Sequence, residues 1–283
     1  MYGTKRLFWQ VLFLFALLLA LIVILRPKAG PKPIYVPVGN MTLIAHAGGG
    51  LPQGIYSNAR EAFDLSVQNG FTLIEVDFSL TKNGEIVLIH DWRERYYQYF
   101  SRLTFIPPIL ASRWPRQSES AVKFSSLKMN HDLTQMTLDD LIIWLENNPN
   151  VKIVTDVKGD NVKAMTQISA KVKTKAEQYQ NRFIAQIYAP DEYTQIIDLG
   201  YTDIIFTAYR SPLNDEQLTE FARTHHLFAL TVPAARASKS LTSALAKIGT
   251  PVYAHTLNTN AQAEALKNMG VTGLYTDYLF PEH

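Results

Sequence analysis

Glu75 and Asp77 lie two residues apart in a short apolar segment. Side chains of a β-strand point alternately to opposite faces, so both carboxylates would share one face, with Ile74 and Val76 on the other. Burying two like charges is costly unless a cation lies between them, and Ca²⁺ or Mg²⁺ suits oxygen ligands. The pair therefore predicts a metal site, with an exposed edge strand carrying two solvated acids as the alternative.

Other apolar segments also end in polar residues that can take part in catalysis. These residues are His46, His90, Asp91, Asp156 and Lys158. In a barrel of parallel strands the carboxyl ends of the strands meet at one rim, and that rim carries the active site. A single histidine at a strand end is usually a hydrogen-bonded structural residue. Several strands that end in this way indicate a common site.

Short apolar segments alternate with helical patterns from Met41 onward. We predict eight strands, at Met41–His46, Thr72–Phe78, Val151–Thr155, Phe183–Ile187, Asp203–Thr207, Leu227–Val232, Pro251–Thr256 and Gly273–Thr276. Alternating strands and helices indicate a parallel sheet, and eight such units fit an α/β fold of the (β/α)8 TIM barrel type. An open doubly wound sheet is the alternative, although no G-x-G-x-x-G motif follows the first strand.

Three local signals refine this arrangement. Asn58 followed by Glu61 resembles a capping box and predicts a helix that begins near Asn58. Thr137 is the expected cap of a helix over Leu138–Leu145. A turn at 82–84 predicts that Ile86–His90 returns as the second strand of a hairpin.

The N-terminus has a different composition from the rest of the chain. Leu7–Leu25 is an apolar run broken only by Gln10, and as a helix it would reach about 28 Å, close to the hydrocarbon thickness of a bilayer. We therefore predict a transmembrane anchor over residues 1–26, a proline-rich linker over 27–40 and the barrel over 41–283. A cleaved signal peptide is the alternative, but the run ends without a small-x-small site.

Basic residues flank the apolar run on both sides, so they do not decide its orientation. A single N-terminal span before one globular domain most often leaves that domain outside the cytoplasm. The expected location is therefore the cell inner membrane, with a single pass and the catalytic domain on the periplasmic side.

Residues 91–135 interrupt the alternation of strands and helices with a segment rich in aromatic residues and arginine. A long segment without periodicity is usually functional or disordered, and its many aromatic residues argue against disorder. One interpretation is a lid or membrane-facing cap for an anionic substrate. The other is a small subdomain that buries its own aromatic side chains.

Composition excludes several classes of site. The 283 residues include no cysteine, so disulfides, thiol nucleophiles and cysteine-ligated zinc are absent. The formal net charge of +2 gives no indication of nucleic-acid binding.

Taken together, the motifs resemble those of the glycerophosphodiester phosphodiesterase family. The similar segments are Ile44-Ala45-His46-Ala47-Gly48, Ser57-Asn58-Ala59, Glu75-Val76-Asp77, Thr81-Lys82-Asn83-Gly84, His90-Asp91, Asp156-Val157-Lys158 and the closing 270–277. The resemblance extends from residue 41 to about 281 and implies a (β/α)8 barrel that hydrolyses small-molecule or lipid phosphodiesters.

The resemblance also implies roles for individual residues. Glu75, Asp77 and Asp156 would bind the divalent metal, Ca²⁺ or Mg²⁺. His46 and His90 would act as general base and general acid. The implied substrate-binding residues are Lys158, Asn58 and His255, with Lys158 at the phosphoryl oxygens. Imidazole suits proton transfer because its pKa lies near neutrality.

The chain departs from the family pattern at several positions. Ala47 replaces the arginine that follows the first histidine, which removes an expected hydrogen-bond donor to the phosphate. An arginine of the aromatic segment is a candidate substitute. Asp156 is one methylene shorter than the family's glutamate, and His255 stands where a tryptophan is usual. These differences leave the substrate open between a small glycerophosphodiester, a lipid and an envelope polymer. They also motivate an alternative, a catalytically inactive barrel that binds a phosphorylated ligand or a protein partner.

Overall fold

The computed structural model describes residues 36–38, 41–100, 117–175 and 177–282. The anchor predicted over residues 1–26 lies outside these ranges. Within them, no helix is both long enough and apolar enough to cross a bilayer.

Eight parallel strands form a closed barrel. In chain order the strands are β1 (Val36–Val38), β2 (Thr42–Ala45), β3 (Leu73–Leu80), β4 (Ile86–Leu88), β5 (Lys152–Val157), β6 (Phe183–Ile187), β7 (Ile204–Thr207), β8 (Ala229–Pro233), β9 (Val252–His255), β10 (Gly273–Thr276) and β11 (Leu279–Pro281). The barrel runs β2-β3-β5-β6-β7-β8-β9-β10 and closes where β10 pairs with β2. This confirms the predicted TIM barrel and its eight strands.

Helices surround the barrel. They are α1 (Arg60–Gln68), α2 (Glu94–Phe100), α3 (Ala121–Ser126), α4 (Leu138–Glu146), α5 (Asn161–Lys173), α6 (Glu192–Asp198), α7 (Asp215–Thr224), α8 (Lys239–Ala246) and α9 (Asn260–Lys267). Thr137 caps α4 in a reciprocal capping box with Asp140, as predicted in part from the sequence. The predicted capping box at Asn58 is wrong, because Ala59 precedes α1 and no side chain caps that helix.

The two faces of β3 pack against different cores. Ile74, Val76 and Phe78 belong to the large core between the strands and the helices. Leu73 belongs to the smaller core inside the barrel. Because side chains alternate along a strand, Glu75 and Asp77 share the interior face with Leu73 and lie closer to the carboxyl end of the strand.

The segment at 91–135 packs partly on itself. β4 pairs antiparallel with β3 and completes the predicted hairpin. Beyond it, Tyr96 and Phe124 are buried against Val87 and Ile89, with Trp92 and Phe100 partly buried beside them. The described part of the segment therefore has an aromatic core of its own. Residues 101–116 of the segment lie outside the described residues.

A second, two-stranded sheet lies outside the barrel. β1, within the predicted linker, pairs in parallel with β11 near the end of the chain, and Val36 is the partner of Leu279. Residues 36–38 of the predicted linker thus pair with the segment that follows β10.

Candidate active site

Three carboxylates converge at the carboxyl end of the barrel. Glu75 and Asp77 come from β3 and Asp156 comes from β5, where Asp77 and Asp156 are direct neighbours in the strand register. One oxygen from each of the three lies within 4.8 Å of the others. Glu75 and Asp77 are buried, so the like charges are held close together away from water.

Backbone and amide donors hold two of these carboxylates in place. The backbone N–H of Ala47 donates to Oε2 of Glu75 at 2.6 Å. Asn58 donates through Nδ2 to Oδ2 of Asp77 at 2.7 Å and accepts from the Asp77 backbone N–H at 2.9 Å. Asn58 is fully buried behind Asp77. It is therefore placed to orient Asp77, which differs from the substrate contact that the sequence predicted.

The ammonium of Lys158 bridges two of the carboxylates. Its Nζ lies 2.9 Å from Oδ1 of Asp77 and 2.6 Å from Oδ2 of Asp156. Although burial alone would lower the pKa of Lys158, Asp77 and Asp156 hold that pKa above its usual range. In this structure Lys158 therefore offsets the charge of the carboxylates that the sequence predicted as metal ligands.

Tyr188 fixes the third carboxylate. Its hydroxyl donates to Oδ1 of Asp156 and accepts from the Val157 backbone N–H at 2.9 Å. Burial first, and the Asp156 charge second, raise the pKa of Tyr188 well above its usual value, so the hydroxyl stays protonated and remains a donor.

The donor set fits a hard divalent cation. Within the described ranges, Oε1 of Glu75 is buried without a hydrogen-bond partner, and Oδ1 of Asp77 meets the Lys158 ammonium but makes no well-aligned hydrogen bond. Burial, and then the neighbouring Asp77, raise the pKa of Glu75 to about 8. Unsatisfied carboxylate oxygens that face one another are ligands of the type that Ca²⁺ and Mg²⁺ prefer. The same set does not distinguish between these two ions.

His46 directly follows β2 and is held by the carboxylate of Asp277, which lies outside the three-carboxylate cluster. Its Nδ1 lies 2.9 Å from Oδ1 of Asp277, and Asn258 donates to the other Asp277 oxygen at 2.7 Å. Burial alone would lower the pKa of His46. The hydrogen bond to Asp277 and the nearby carboxylates outweigh burial and raise this pKa to about 9.

His90 has the same kind of partner. Its Nδ1 lies 2.9 Å from Oδ2 of Asp91. The ring of Tyr56 stands between the two imidazoles, with centroids 4.5 Å from His46 and 5.0 Å from His90, in edge-to-face geometry in both cases. The two histidines thus flank one aromatic ring.

His255 forms part of the wall at the end of β9. Its ring contacts Tyr209 and Tyr275. Burial, followed by the charge of His46, lowers the pKa of His255 to about 4, so the ring is neutral at neutral pH. Its Nε2 is buried without a hydrogen-bond partner among the described residues.

The structure brings all of the predicted residues to one end of the barrel, and it adds others. Asp277 ends β10 in the same way that other polar residues end their strands, so the signal that found His46 could also have found Asp277. Tyr188 directly follows β6, so the same signal could have found it as well. Tyr56 carried no such signal, because it lies in a loop and has no distinctive spacing.

Comparisons with known proteins agree with this geometry. The chain is 24% identical over 247 residues to YhdW of Bacillus subtilis, which has the provisional name glycerophosphodiester phosphodiesterase, and the match spans 84% of this chain and 95% of that protein.

Solved structures share the fold. A structure from Galdieria sulphuraria with the same provisional name superposes with a TM-score of 0.66 at 16% identity, covering 88% of this chain and 96% of that one. A phosphodiesterase from Oleispira antarctica, solved with the product sn-glycerol-3-phosphate, gives a TM-score of 0.59 at 17% identity, covering 84% and 93%. Residues 47–280 match the glycerophosphoryl diester phosphodiesterase family, and the chain therefore belongs to this family of phosphoric diester hydrolases.

Proposed function

We propose that this chain hydrolyses a glycerophosphodiester, or a related diester derived from lipid or the cell envelope, in a metal-dependent reaction. The observation that carries the proposal is the convergence of three carboxylates and two histidines at one barrel end, with each histidine bound to a carboxylate through Nδ1. A binding protein would have no need of two proton-transfer groups oriented in this way.

The histidines divide the proton transfers. With Nδ1 of His46 bound to Asp277 and Nδ1 of His90 bound to Asp91, Nε2 is the nitrogen of each ring that exchanges a proton with the substrate. One imidazole accepts the proton of the attacking hydroxyl, which belongs either to water or to a neighbouring alcohol of the substrate. The other donates a proton to the departing alkoxide oxygen as the P–O bond breaks.

The acidic cluster supplies the electrostatic part of the reaction. When bound by Glu75, Asp77 and Asp156, Ca²⁺ or Mg²⁺ would offset the negative charge of the phosphoryl oxygens. Lys158 lies on the same carboxylates and adds a second positive charge at that position. His255, whose buried Nε2 has no hydrogen-bond partner in the described part of the chain, is the candidate contact for a polar group of the substrate.

The deciding experiment is a turnover assay on the purified protein. Release of product from glycerophosphodiesters and from an aryl phosphodiester would be measured with Ca²⁺, with Mg²⁺ and with a chelator. We expect turnover that needs metal and is lost in His46→Ala and Glu75→Ala. A folded protein that binds metal but cleaves no diester would instead support the inactive phosphate-binding barrel.

We also propose that residues 1–26 anchor the domain in the inner membrane, with the catalytic domain on the periplasmic side. The apolar run Leu7–Leu25 supports this location. Fusing a reporter that is active only in the periplasm to the C-terminus tests the orientation, and fractionation after alkaline washing tests the anchoring. A reporter that is active only in the cytoplasm would contradict the orientation.

A further inference from the structure

Position 47 supplies no positive charge to the site. Ala47 is fully buried, its side chain is a methyl group, and its backbone N–H is already bound to Glu75. Lys158 is committed to Asp77 and Asp156. Apart from the proposed metal, an arginine near this group of carboxylates would therefore supply the positive charge that position 47 lacks.

Arg95 of helix α2 lies over the ring of Tyr56. Its guanidinium carbon is 4.2 Å from the centroid of the Tyr56 ring, the same ring that contacts both His46 and His90. A guanidinium stacked on an aromatic face keeps its N–H groups in its own plane, where they remain free to donate. One aromatic ring separates this cation from each imidazole.

Most of the donors of Arg95 have no partner in the described part of the chain. Nη1 donates to Oε1 of Gln98 at 2.8 Å and lies 3.5 Å from the Glu94 carboxylate. Among the described residues, Nη2 and Nε have no hydrogen-bond partner. The side chain is 21% exposed, so it is partly shielded but still accessible to a ligand.

Two links fix the position of Arg95 relative to the catalytic groups. Asp91, which binds His90 through Oδ2, accepts through Oδ1 from the backbone N–H groups of Arg93 and Arg95 at 2.8 and 3.2 Å. The hydroxyl of Tyr99 donates to the carbonyl of Ile55 at 2.6 Å, next to Tyr56. Helix α2 is therefore joined both to His90 and to the loop that carries Tyr56.

We infer that Arg95 is a substrate-binding residue that contacts the phosphoryl oxygens, with Tyr56 as the platform that holds its guanidinium one aromatic ring away from the two histidines. This assignment rests on the proposed diesterase function and adds a residue to it. Guanidinium is suited to the task because its planar fork matches two phosphate oxygens at once. The aromatic, arginine-rich segment thus contributes a side chain directly to the site.

The test compares Arg95→Ala and Arg95→Lys with Arg93→Ala as the matched control, because Arg93 belongs to the same turn and is exposed. Two measurements are made on the full chain. Steady-state kinetics use bis(p-nitrophenyl) phosphate, and calorimetry measures binding of sn-glycerol 3-phosphate. Guanidinium ion is then added to each variant to replace the missing group.

We expect Arg95→Ala to raise KM and the Kd for sn-glycerol 3-phosphate by about 10- to 100-fold, the size of a charge-assisted hydrogen bond, with a smaller change in kcat. Arg95→Lys should lie between this variant and the wild type, and Arg93→Ala should match the wild type. Guanidinium should lower KM for Arg95→Ala alone, an effect that a purely structural role would not produce.

Unchanged KM and Kd in Arg95→Ala, or equal changes in Arg93→Ala, would overturn the inference. A wild-type protein without turnover would instead refute the proposed function. In that case, the calorimetric comparison of wild type and Arg95→Ala still decides whether Arg95 binds phosphate.

Discussion

Oδ1 of Asp277 lies 2.9 Å from Nδ1 of His46, while Asn258 donates to the second oxygen of the same carboxylate. The carboxylate fixes the ring and stabilises its protonated form. The folded pKa of about 9 exceeds the ordinary value of 6.5. The protonated ring therefore contributes stability that is complete below pH 6.5 and is lost as the pH rises through about 9.

Asp277→Asn should remove this effect. Without the carboxylate, burial dominates and the pKa of His46 should fall below its wild-type value, as measured by NMR titration of the metal-free protein. Because the imidazole also loses its orientation, kcat should fall by about 10²- to 10⁴-fold. Asp132→Asn, at an exposed position, is the control. An unchanged His46 titration in Asp277→Asn would contradict the role assigned to the pair.

Glu75→Gln should have opposite effects on stability with and without metal. In a chelator the raised pKa of Glu75 means that the wild-type domain loses stability as the pH rises through about 8, and the neutral amide avoids this loss. With metal at 100 times its Kd, the wild type should gain about 2.7 kcal/mol that the variant does not. Thermal melts at pH 8.5, about half a pH unit above the pKa of Glu75, measure both effects.

Glu146→Gln is the matched control, since Glu146 pairs with Lys175 at the surface. It should respond to Ca²⁺ and Mg²⁺ as the wild type does. A wild-type melting temperature that no divalent ion shifts would refute the metal site.

His46→Ala and His90→Ala should each lower kcat by about 10²- to 10⁴-fold on a glycerophosphodiester. On an aryl diester the two variants should diverge, because a good leaving group no longer needs a proton donor. The variant that recovers activity identifies the general acid, and the other identifies the general base. Equal losses on both substrates would show that the two rings do not divide the proton transfers.

Asn58→Ala should weaken metal binding and stability while leaving KM for the diester unchanged. The variant removes the donor to Asp77 and the acceptor of its backbone N–H, at a cost of about 1–3 kcal/mol in the free energy of unfolding. Chemical denaturation and metal titration by calorimetry check the two effects. A raised KM with unchanged metal affinity would instead make Asn58 a substrate contact.

The barrel and the placement of Glu75 and Asp77 could be predicted from the sequence because both follow from periodicity. The two-residue spacing of Glu75 and Asp77 predicts that they share a face, and the structure confirms that they lie inside the barrel above Leu73. Alternating apolar segments likewise predicted all eight strands.

The roles of Asn58 and Arg95 could not be predicted in the same way. Asn58 has the spacing of a helix cap, but its φ of 48° is left-handed, and its amide pairs with Asp77 instead. Arg95 is one arginine among several in a segment without periodicity. The tertiary contact with Tyr56 sets it apart from Arg93. Contacts of this kind join residues that are distant in the chain and leave no local pattern.

The pairing of Val36 with Leu279 sets where any tether meets the enzyme. Leu279 is two residues beyond Asp277, which binds His46. The chain therefore enters the domain at the end of the barrel that holds the candidate active site. Residues 27–35 span at most about 30 Å. If residue 26 lies at a membrane surface, the active site reaches only diesters within the length of this segment. That length then sets the effective concentration of membrane-borne diesters at the site. Lengthening the segment would then slow turnover of membrane-borne diesters and leave turnover of freely diffusing ones unchanged.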